Sequence, residues 1–380
     1  MAGVLNGIRV IDLGIVITGP YTGSLLVDLG ADVIKVEGPK GDQFRLYEAG
    51  FNGLNLGKRS ICIDLQSSSG RKTFLKLVET ADIVLENFRP GVMEGLGLGW
   101  EALQERNPRV VYCSISGFGS SGPYRDRPAY DATIQSLSGF LSLLVDPTTP
   151  TVTGPPIADG AAGLYACYGI LGALFERERT GIGRRVEVSM VESLIAFGNQ
   201  AFGHYFFTGE APGPTTRAGA AQAYALSCKD GKSIGIHLST AERVWSGLLD
   251  VIERPDLASD SQFITYEDRV RNYEFLMQEL ATVFATRVRD DWLMRLEAHD
   301  IPCAPVNRIN EVVEDPQLRH LGTFREIVGV SGTRTQTVQN PVFYDGDRTV
   351  DTTSPPALGE HTEEILRECG LSNDNFDKVT

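Results

Sequence analysis

The sequence predicts an α/β fold, with a large domain on a parallel sheet covered by helices and a smaller α+β domain. Three observations predict it. Short apolar runs alternate with helical patterns from residue 9 to residue 189, and strands alternating with helices make parallel sheets. The composition then shifts to Gly, Pro and Thr over residues 209–219, which suits a linker. The chain of 380 residues is also longer than one hydrophobic core usually serves.

The elements follow in order. Strands are expected at residues 9–13, 32–36, 60–65, 82–86, 110–116 and 185–189, where β-branched residues cluster. Helices are expected at 21–29, 71–80, 100–106, 131–144 and 159–179; Gly30 ends the first, and Gly181 and Gly183 end the last. In the second domain, strands at 224–228 and 233–238 flank Lys229-Asp230-Gly231-Lys232, a hairpin turn signal. Helical patterns follow at 241–252, 272–284 and 289–299, then a strand-like stretch at 336–343, a Pro355-Pro356 break and a short terminal helix. The large domain is thus residues 1–205, completed by 323–380. The small domain is 220–310, and 206–219 and 311–322 are linkers.

Apolar residues make up 42% of the chain and charged residues 22%, a globular, soluble composition. The net charge of -14 argues against a nucleic-acid partner, but a local basic pocket for an anionic ligand can coexist with it. The six cysteines show no metal or redox spacing and read as buried free thiols in a reducing, cytoplasmic compartment. The start, MAGVLNGIRVIDL, has no basic or signal-type apolar block. The uncharged run at 160–175 is shorter than the ~18–20 residues of a membrane span and reads as a buried helix, so no membrane partner is expected.

Most familiar sites are absent. Gly14 and Gly19 follow the first strand without a GxGxxG and read as a turn. There is no P-loop, HExxH or GxSxG, and no metal site is expected. His204, within an aromatic run, reads as a core residue. What remains is Asp159, directly before the run GAAGLYACYGILGALF. An Asp there is commonly a helix N-cap. A carboxylate held as the anion by a helix N-terminus can equally attack a thioester. Gly154, Gly160, Ala161, Ala162 and Gly163 would let a substrate approach, although packing also explains them. A second cluster, Glu86-Asn87-Phe88-Arg89-Pro90-Gly91, sits at a strand's carboxyl end, where α/β proteins bind ligands. Asn87 and Arg89 could hold a phosphate or an amide, or form an ordinary turn. Lys35, Lys40, Lys58 and Arg59 lie near other strand ends and together could make a basic pocket.

These motifs, taken in order, resemble the class III CoA-transferases, the family of formyl-CoA and carnitine CoA-transferases. The resemblance runs over nearly the whole chain. It rests on VIDLGIVITGPYTGSLLVDLGADVIKVEGPKGD (10–42), NLGKRSICIDL (55–65), ENFRPGV (86–92), SGFGSSGPY (116–124), AYDATIQSLSGF (129–140) and ADGAAGLYACYGILGALFERERTGIGRRVEVSM (158–190). IPCAPVN (301–307), EDPQ (314–317) and PPALGEHT (355–362) complete it.

The resemblance implies an interlocked homodimer, each chain a Rossmann-like large domain plus a small domain, with CoA or acyl-CoA as substrate, small carboxylic acids as partners and no tightly bound cofactor. Asp159 matches the family's nucleophile. Val16, Ile17, Ile63, Asp64, Leu65, Asn87, Phe88, Arg89, Pro128, Ala129, Tyr130 and Asp131 match stretches that contact CoA in relatives. Three departures stand out. Formyl-CoA transferases carry a glutamine where this chain has Ile17. Their glycine-rich loop falls near Ala218-Gly219-Ala220-Ala221, which holds one glycine. Both point away from an oxalate–formate exchange. Many relatives also have an arginine at Gly95, for which Lys40 or Arg89 would substitute.

The implied chemistry is attack of Asp159 on an acyl-CoA, giving a mixed anhydride and then an aspartyl-CoA thioester, with backbone N–H groups near Asp159 stabilising the oxyanions. The related 2-methylacyl-CoA racemases use a histidine where this chain has Tyr130, and a tyrosine with a reference pKa of about 10 is a poor base. The racemase reading and that of a non-catalytic CoA-binding protein therefore rank behind the transferase.

Overall fold

The computed structural model describes residues 3–146, 148–348 and 354–371. The chain divides into two units, one of Met1–Leu141, Gly154–Asn199 and His320–Thr380, the other of Ser142–Thr153 and Gln200–Arg319.

The first unit is built on β1 (Arg9–Asp12), α1 (Thr18–Asp28), β2 (Asp32–Glu37), α2 (Glu48–Asn55), β3 (Arg59–Cys62), α3 (Ser68–Val78) and β4 (Ile83–Glu86). It continues through α4 (Val92–Gly95), α5 (Trp100–Arg106), β5 (Val111–Ser116), α6 (Asp131–Leu137), α7 (Ile157–Thr180), β6 (Arg185–Ser189) and α8 (Met190–Phe197). The six strands pair in parallel in the order β3-β2-β1-β4-β5-β6. Val10, Ile11, Val33, Ile34, Ile83, Val84 and Leu85 are buried, as strands covered on both faces require. In this order the chain reverses direction across the sheet between β1 and β4. Loops leaving the carboxyl ends of those strands diverge and open a crevice. The expected helix at 131–144 stops at Leu137, and residues Phe140–Leu143 form a separate 3-10 turn.

Two buried ion pairs lie beneath the β1–α1 loop. Lys58 Nζ donates to Asp12 at 2.8 Å, to the Pro20 carbonyl at 2.8 Å and to Asn55 Oδ1 at 3.0 Å. Lys35 Nζ donates to Asp42 at 3.0 Å and to the Gly14 carbonyl at 2.8 Å. Burial pulls the Lys58 ammonium down to about 8, against the opposing pull of Asp12. The basic pocket expected from Lys35, Lys40, Lys58 and Arg59 therefore does not form. Lys35 and Lys58 are consumed inside the fold. Arg59 begins β3, at the amino edge of the sheet, and pairs with Asp32, Glu364 and Glu368. Only Lys40 is exposed.

The C-terminal stretch returns to β3. The Ser60 carbonyl accepts from the His361 N–H at 2.9 Å, and the Cys62 N–H donates to the Thr362 hydroxyl at 3.2 Å. A helix at Thr362–Glu368 buries Ile365 and Leu366 against Ile61 and Phe74. The strand-like stretch expected at 336–343 is the second arm of an antiparallel hairpin, Phe324–Val328 with Arg334–Val338. Residues 349–353 and 372–380 of the expected tail lie outside the described residues.

In the second unit, α9 (Asn199–Thr208) and α10 (Thr216–Ala221) precede β7 (Ala223–Ser227) and β8 (Ser233–His237), the hairpin that Asp230-Gly231 marks. The antiparallel sheet is completed by a third strand, Cys303–Pro305. Helices Glu242–Ile252, Tyr273–Phe284 and Arg289–Ala298 pack Trp245, Leu248, Phe284 and Trp292 into its core. Residues 209–219, read as a linker, thus hold the start of α10, and Ala218–Ala221 is helical rather than a loop. The aromatic run around His204 is not core. Phe206 is 78% and Phe207 92% exposed, because none of the described residues covers that side of α9.

The Lys58–Asp12 pair sets a stability prediction. Lys58→Met leaves Asp12 buried without its counter-charge, and breaking a buried pair from one side costs roughly 3–5 kcal/mol. Urea unfolding should show that loss for Lys58→Met and a smaller one for the double variant Lys58→Met/Asp12→Leu.

Candidate active site

Asp159 sits in the first turn of α7, two residues after its start at Ile157. It is not the N-cap expected from its place in the sequence. That work is done from a distance by Asp131, whose Oδ1 accepts from the Ala158 N–H at 2.7 Å and the Asp159 N–H at 3.3 Å. With its amide capped, Asp159 is free to point its carboxylate toward α1. There the Thr18 hydroxyl donates to Asp159 Oδ1.

The two helices approach closely. A Cβ added to Gly163 would lie 2.7 Å from the Tyr21 ring, so only glycine fits. Ala161 and Ala162 are buried in packing, whereas Gly160 faces open space. Among the small residues flanking Asp159, then, Ala161, Ala162 and Gly163 serve helix packing and Gly160 borders open space. Burial pushes the Asp159 carboxyl up to about 6; the Thr18 hydrogen bond pulls it down, and the charge on Asp131 adds to the rise.

The loop that brings Thr18 to Asp159 is held at Gly14, Ile15 and Val16. Gly14 N–H donates to Asp12 at 2.7 Å. Ile15 N–H donates to Asn87 Oδ1 at 2.8 Å and its carbonyl accepts from Asn87 Nδ2 at 3.0 Å. Val16 N–H donates to the Asp42 carboxylate at 3.2 Å. Val16 adopts a φ of 64°, the left-handed region that β-branched residues avoid. Such strain persists only where neighbours over-determine it. Asn87 is therefore engaged within the protein. Its amide pairs the β4 loop to the β1 loop through one N–H and the carbonyl oxygen, and the residue lines the cavity beside Asp159.

Two adjoining cavities flank this loop. One, of about 330 Å³, is lined by Asp159, Thr18, Val16, Ile17, Asn87, Phe88, Arg89, Ala129 and Tyr130. Its other charged residues are Arg125 and Arg127, so among the lining residues one carboxylate faces three guanidinium groups. The second, of about 480 Å³, is lined by Lys40, Ile63, Asp64, Leu65 and, again, Phe88. Pro128 and Asp131 line neither, and the Asp131 carboxylate is spent on capping α7. Lys40 and Arg89, the candidates to replace an arginine at Gly95, line different cavities. Gly95 itself ends α4 with open space around it. A third, more polar cavity of about 410 Å³ shares Phe88, Arg89 and Arg125 with the first. It contains Glu86, which burial raises to about 7 against the bonds from Phe88 N–H and Tyr112 O–H.

Sequence reasoning missed Thr18, Arg125 and Arg127. Thr18 lay inside the quoted stretch ITGPY, where a hydroxyl next to a turn has an ordinary reading. The arginines lay in RDRPAYD, directly before the residues that were singled out. Among the described residues, no cluster of His, Cys, Asp and Glu could hold a metal ion.

The description CoA-transferase family III matches residues 5–362. The chain belongs to CoA-transferase family III. It is 34% identical to a formyl-CoA:oxalate CoA-transferase of Streptomyces avermitilis over 99% of this chain and 98% of that one. It is 33% identical to a succinyl-CoA:mesaconate CoA-transferase of Haloarcula hispanica over 97% of each. The fold matches the crystal structure of a CAIB/BAIF family protein from Brucella suis with a TM-score of 0.86 and 32% identity, covering 97% of this chain and 100% of that one. The protein is thus an enzyme, a CoA-transferase, acting on CoA thioesters and carboxylic acids.

The burial of Asp159 in this CoA-transferase has a measurable consequence. Its carboxyl binds a proton more tightly folded than unfolded, so its contribution to stability is full below the unfolded value near 4 and is lost as pH rises through about 6. Asp159→Asn removes that loss. Thermal melts should show the variant gaining up to about 3 kcal/mol over the parent at pH 8, and no difference at pH 3.5.

Proposed function

We propose that this CoA-transferase works by covalent catalysis on Asp159. The observation that carries the reading is a partly buried carboxylate with one oxygen held by the Thr18 hydroxyl, lining a cavity whose other charged residues are arginines. A carboxylate with a pKa of about 6 is mostly ionised at neutral pH, yet more nucleophilic than an ordinary aspartate. The arginines suit anionic ligands, both the phosphates of CoA and the acids exchanged. The acyl-CoA would run along the crevice at the carboxyl ends of β1 and β4, between the two cavities that meet at Phe88.

Asp159 then attacks the thioester carbonyl and forms a mixed anhydride. The released CoA thiolate attacks the aspartyl carbonyl and leaves an aspartyl-CoA thioester and the donor acid. The acceptor acid reverses both steps. The chemistry moves no proton, consistent with a cavity that has no histidine in its lining. All six cysteines are free thiols, which suits a reducing cytoplasm.

The same reading includes a homodimer. Along α7, Leu164, Tyr168 and Phe175 are 50%, 77% and 69% exposed. Rings and aliphatic groups exposed on this scale mark an interaction surface. The α7 helix is also long and apolar enough to cross a membrane, but half of its apolar stretch is buried inside the chain. Covering the remainder with a second copy fits both facts.

Two experiments test these readings. Incubation with acyl-CoA and no acceptor should build up an aspartyl thioester that hydroxylamine converts to a hydroxamate on the peptide containing Asp159. Asp159→Ala should be inert and unlabelled. A labelled but inactive Asp159→Ala enzyme would place the covalent step elsewhere. In sedimentation velocity, the protein should remain a dimer at nanomolar concentration. A stable monomer there would remove the dimer from the reading.

A further inference from the structure

The protein treats the two oxygens of Asp159 differently. Oδ1 accepts from the Thr18 hydroxyl, and Thr18 is only 3% exposed. The backbone amides that the sequence suggested as oxyanion donors are taken. Ile157 N–H donates to the Pro155 carbonyl at 2.8 Å and Gly160 N–H to the Pro156 carbonyl at 3.1 Å. Ala158 and Asp159 both donate to Asp131. Asn87 is bound to Ile15, and the side chain of Ile17 is hydrocarbon. The donor that the fold does place on the reacting carboxylate is the Thr18 hydroxyl.

Thr18 is also fixed in place. It opens α1 directly after the strained Val16–Ile17 turn. Its carbonyl accepts from the Thr22 hydroxyl at 2.9 Å, and that hydroxyl also lies 3.4 Å from the Gly163 carbonyl on α7. Donors held in advance of the reaction stabilise developing charge most effectively.

We propose that Thr18 is a catalytic residue of the transfer, a role that rests on the covalent reading of Asp159. Its hydroxyl holds Oδ1, which leaves Oδ2 to attack the thioester. The new bond joins Oδ2 to the acyl carbon while the C–S bond breaks and the thiolate leaves. The thiolate next adds to Asp159 Cγ, and the carbonyl electron pair moves onto Oδ1. That oxyanion forms against the Thr18 hydroxyl. Its collapse breaks the Cγ–Oδ2 bond, and the donor acid departs as a carboxylate carrying that oxygen. When the acceptor carboxylate attacks the aspartyl thioester, negative charge builds on Oδ1 a second time before the thiolate is expelled. Thr18 keeps its proton throughout. It therefore assists the two steps in which the enzyme's own carbonyl is the electrophile.

The test compares Thr18→Val and Thr18→Ala, which delete the hydroxyl, with Thr18→Ser, which keeps it. Loss of one oxyanion donor should lower kcat by about 10²–10³-fold in both deletions, while Thr18→Ser stays within about tenfold of the parent. The KM for acyl-CoA should stay within roughly threefold of the parent, since the bond is already made in the free enzyme and adds nothing to acyl-CoA binding. The acidic limb of the kcat/KM profile should move to higher pH in the deletions, because the bond favours the ionised carboxylate. Hydroxylamine labelling of the parent separates the two levels of the argument. If the parent is labelled at Asp159 but the deletions match it in kcat and pH profile, the role of Thr18 is overturned alone. Equal loss in Thr18→Ser and the deletions also overturns it, since side-chain shape then explains the effect. An unlabelled parent overturns the covalent reading and the Thr18 role together.

Discussion

The buried pairing of Lys58 with Asp12, backed by Lys35 with Asp42, is the constraint on which the site depends. Neither pair is a strong source of net stability, because desolvating four charges offsets most of their attraction. What they supply is position. Asp12 accepts from the Gly14 amide, Lys35 donates to the Gly14 carbonyl and Asp42 accepts from the Val16 amide. With the polar groups of Gly14 and Ile15 and the Val16 amide each assigned a partner, the loop is strongly restricted in conformation. The chain accepts a left-handed valine within it. The strain at Val16 and the buried charges belong to one device, which delivers Thr18 to Asp159.

Sheet topology explains why the device is located there. The strand order 3-2-1-4-5-6 makes β1 and β4 neighbours whose connections leave in opposite directions. Asn87 ties the two diverging loops together across the gap. α7 enters from a different part of the chain and brings Asp159 to the same place through its packing on α1. Three segments distant in sequence thus meet at one carboxylate. The Asp131 cap leaves that carboxylate free of helix-end duty and frees it for chemistry.

Much of this was legible in the residues. Alternating apolar runs marked all six strands, and the Asp230-Gly231 turn marked the hairpin. Asp159 could be singled out because it stands alone before a long uncharged run. The failures have a common cause. A lysine near a strand end looks available until a buried carboxylate is found beside it, as for Lys35 and Lys58. The aromatic run at Tyr205-Phe206-Phe207 looks like core because composition does not tell inside from between. Each error concerns a partner distant in sequence, and pattern reading sees only neighbours. Thr18 was missed for the same reason: its significance lies wholly in Asp159, 141 positions away.

The closing of β3 by the C-terminal stretch bears on how the chain is made. β3 is the outermost strand of the large sheet, and its free edge is met by residues 359–362, through Gly359 N–H to the Ser60 hydroxyl and His361 N–H to the Ser60 carbonyl. On a ribosome, β3 emerges about three hundred residues before the segment that seals it. For most of synthesis the sheet therefore presents an unpaired edge, a surface that invites pairing with other chains. Arg59, which later binds Glu364 and Glu368, puts positive charge on that edge during the wait and discourages such pairing. Nascent chains stalled before residue 359 should be the aggregation-prone and chaperone-bound population, whereas chains that have released the last helix should not.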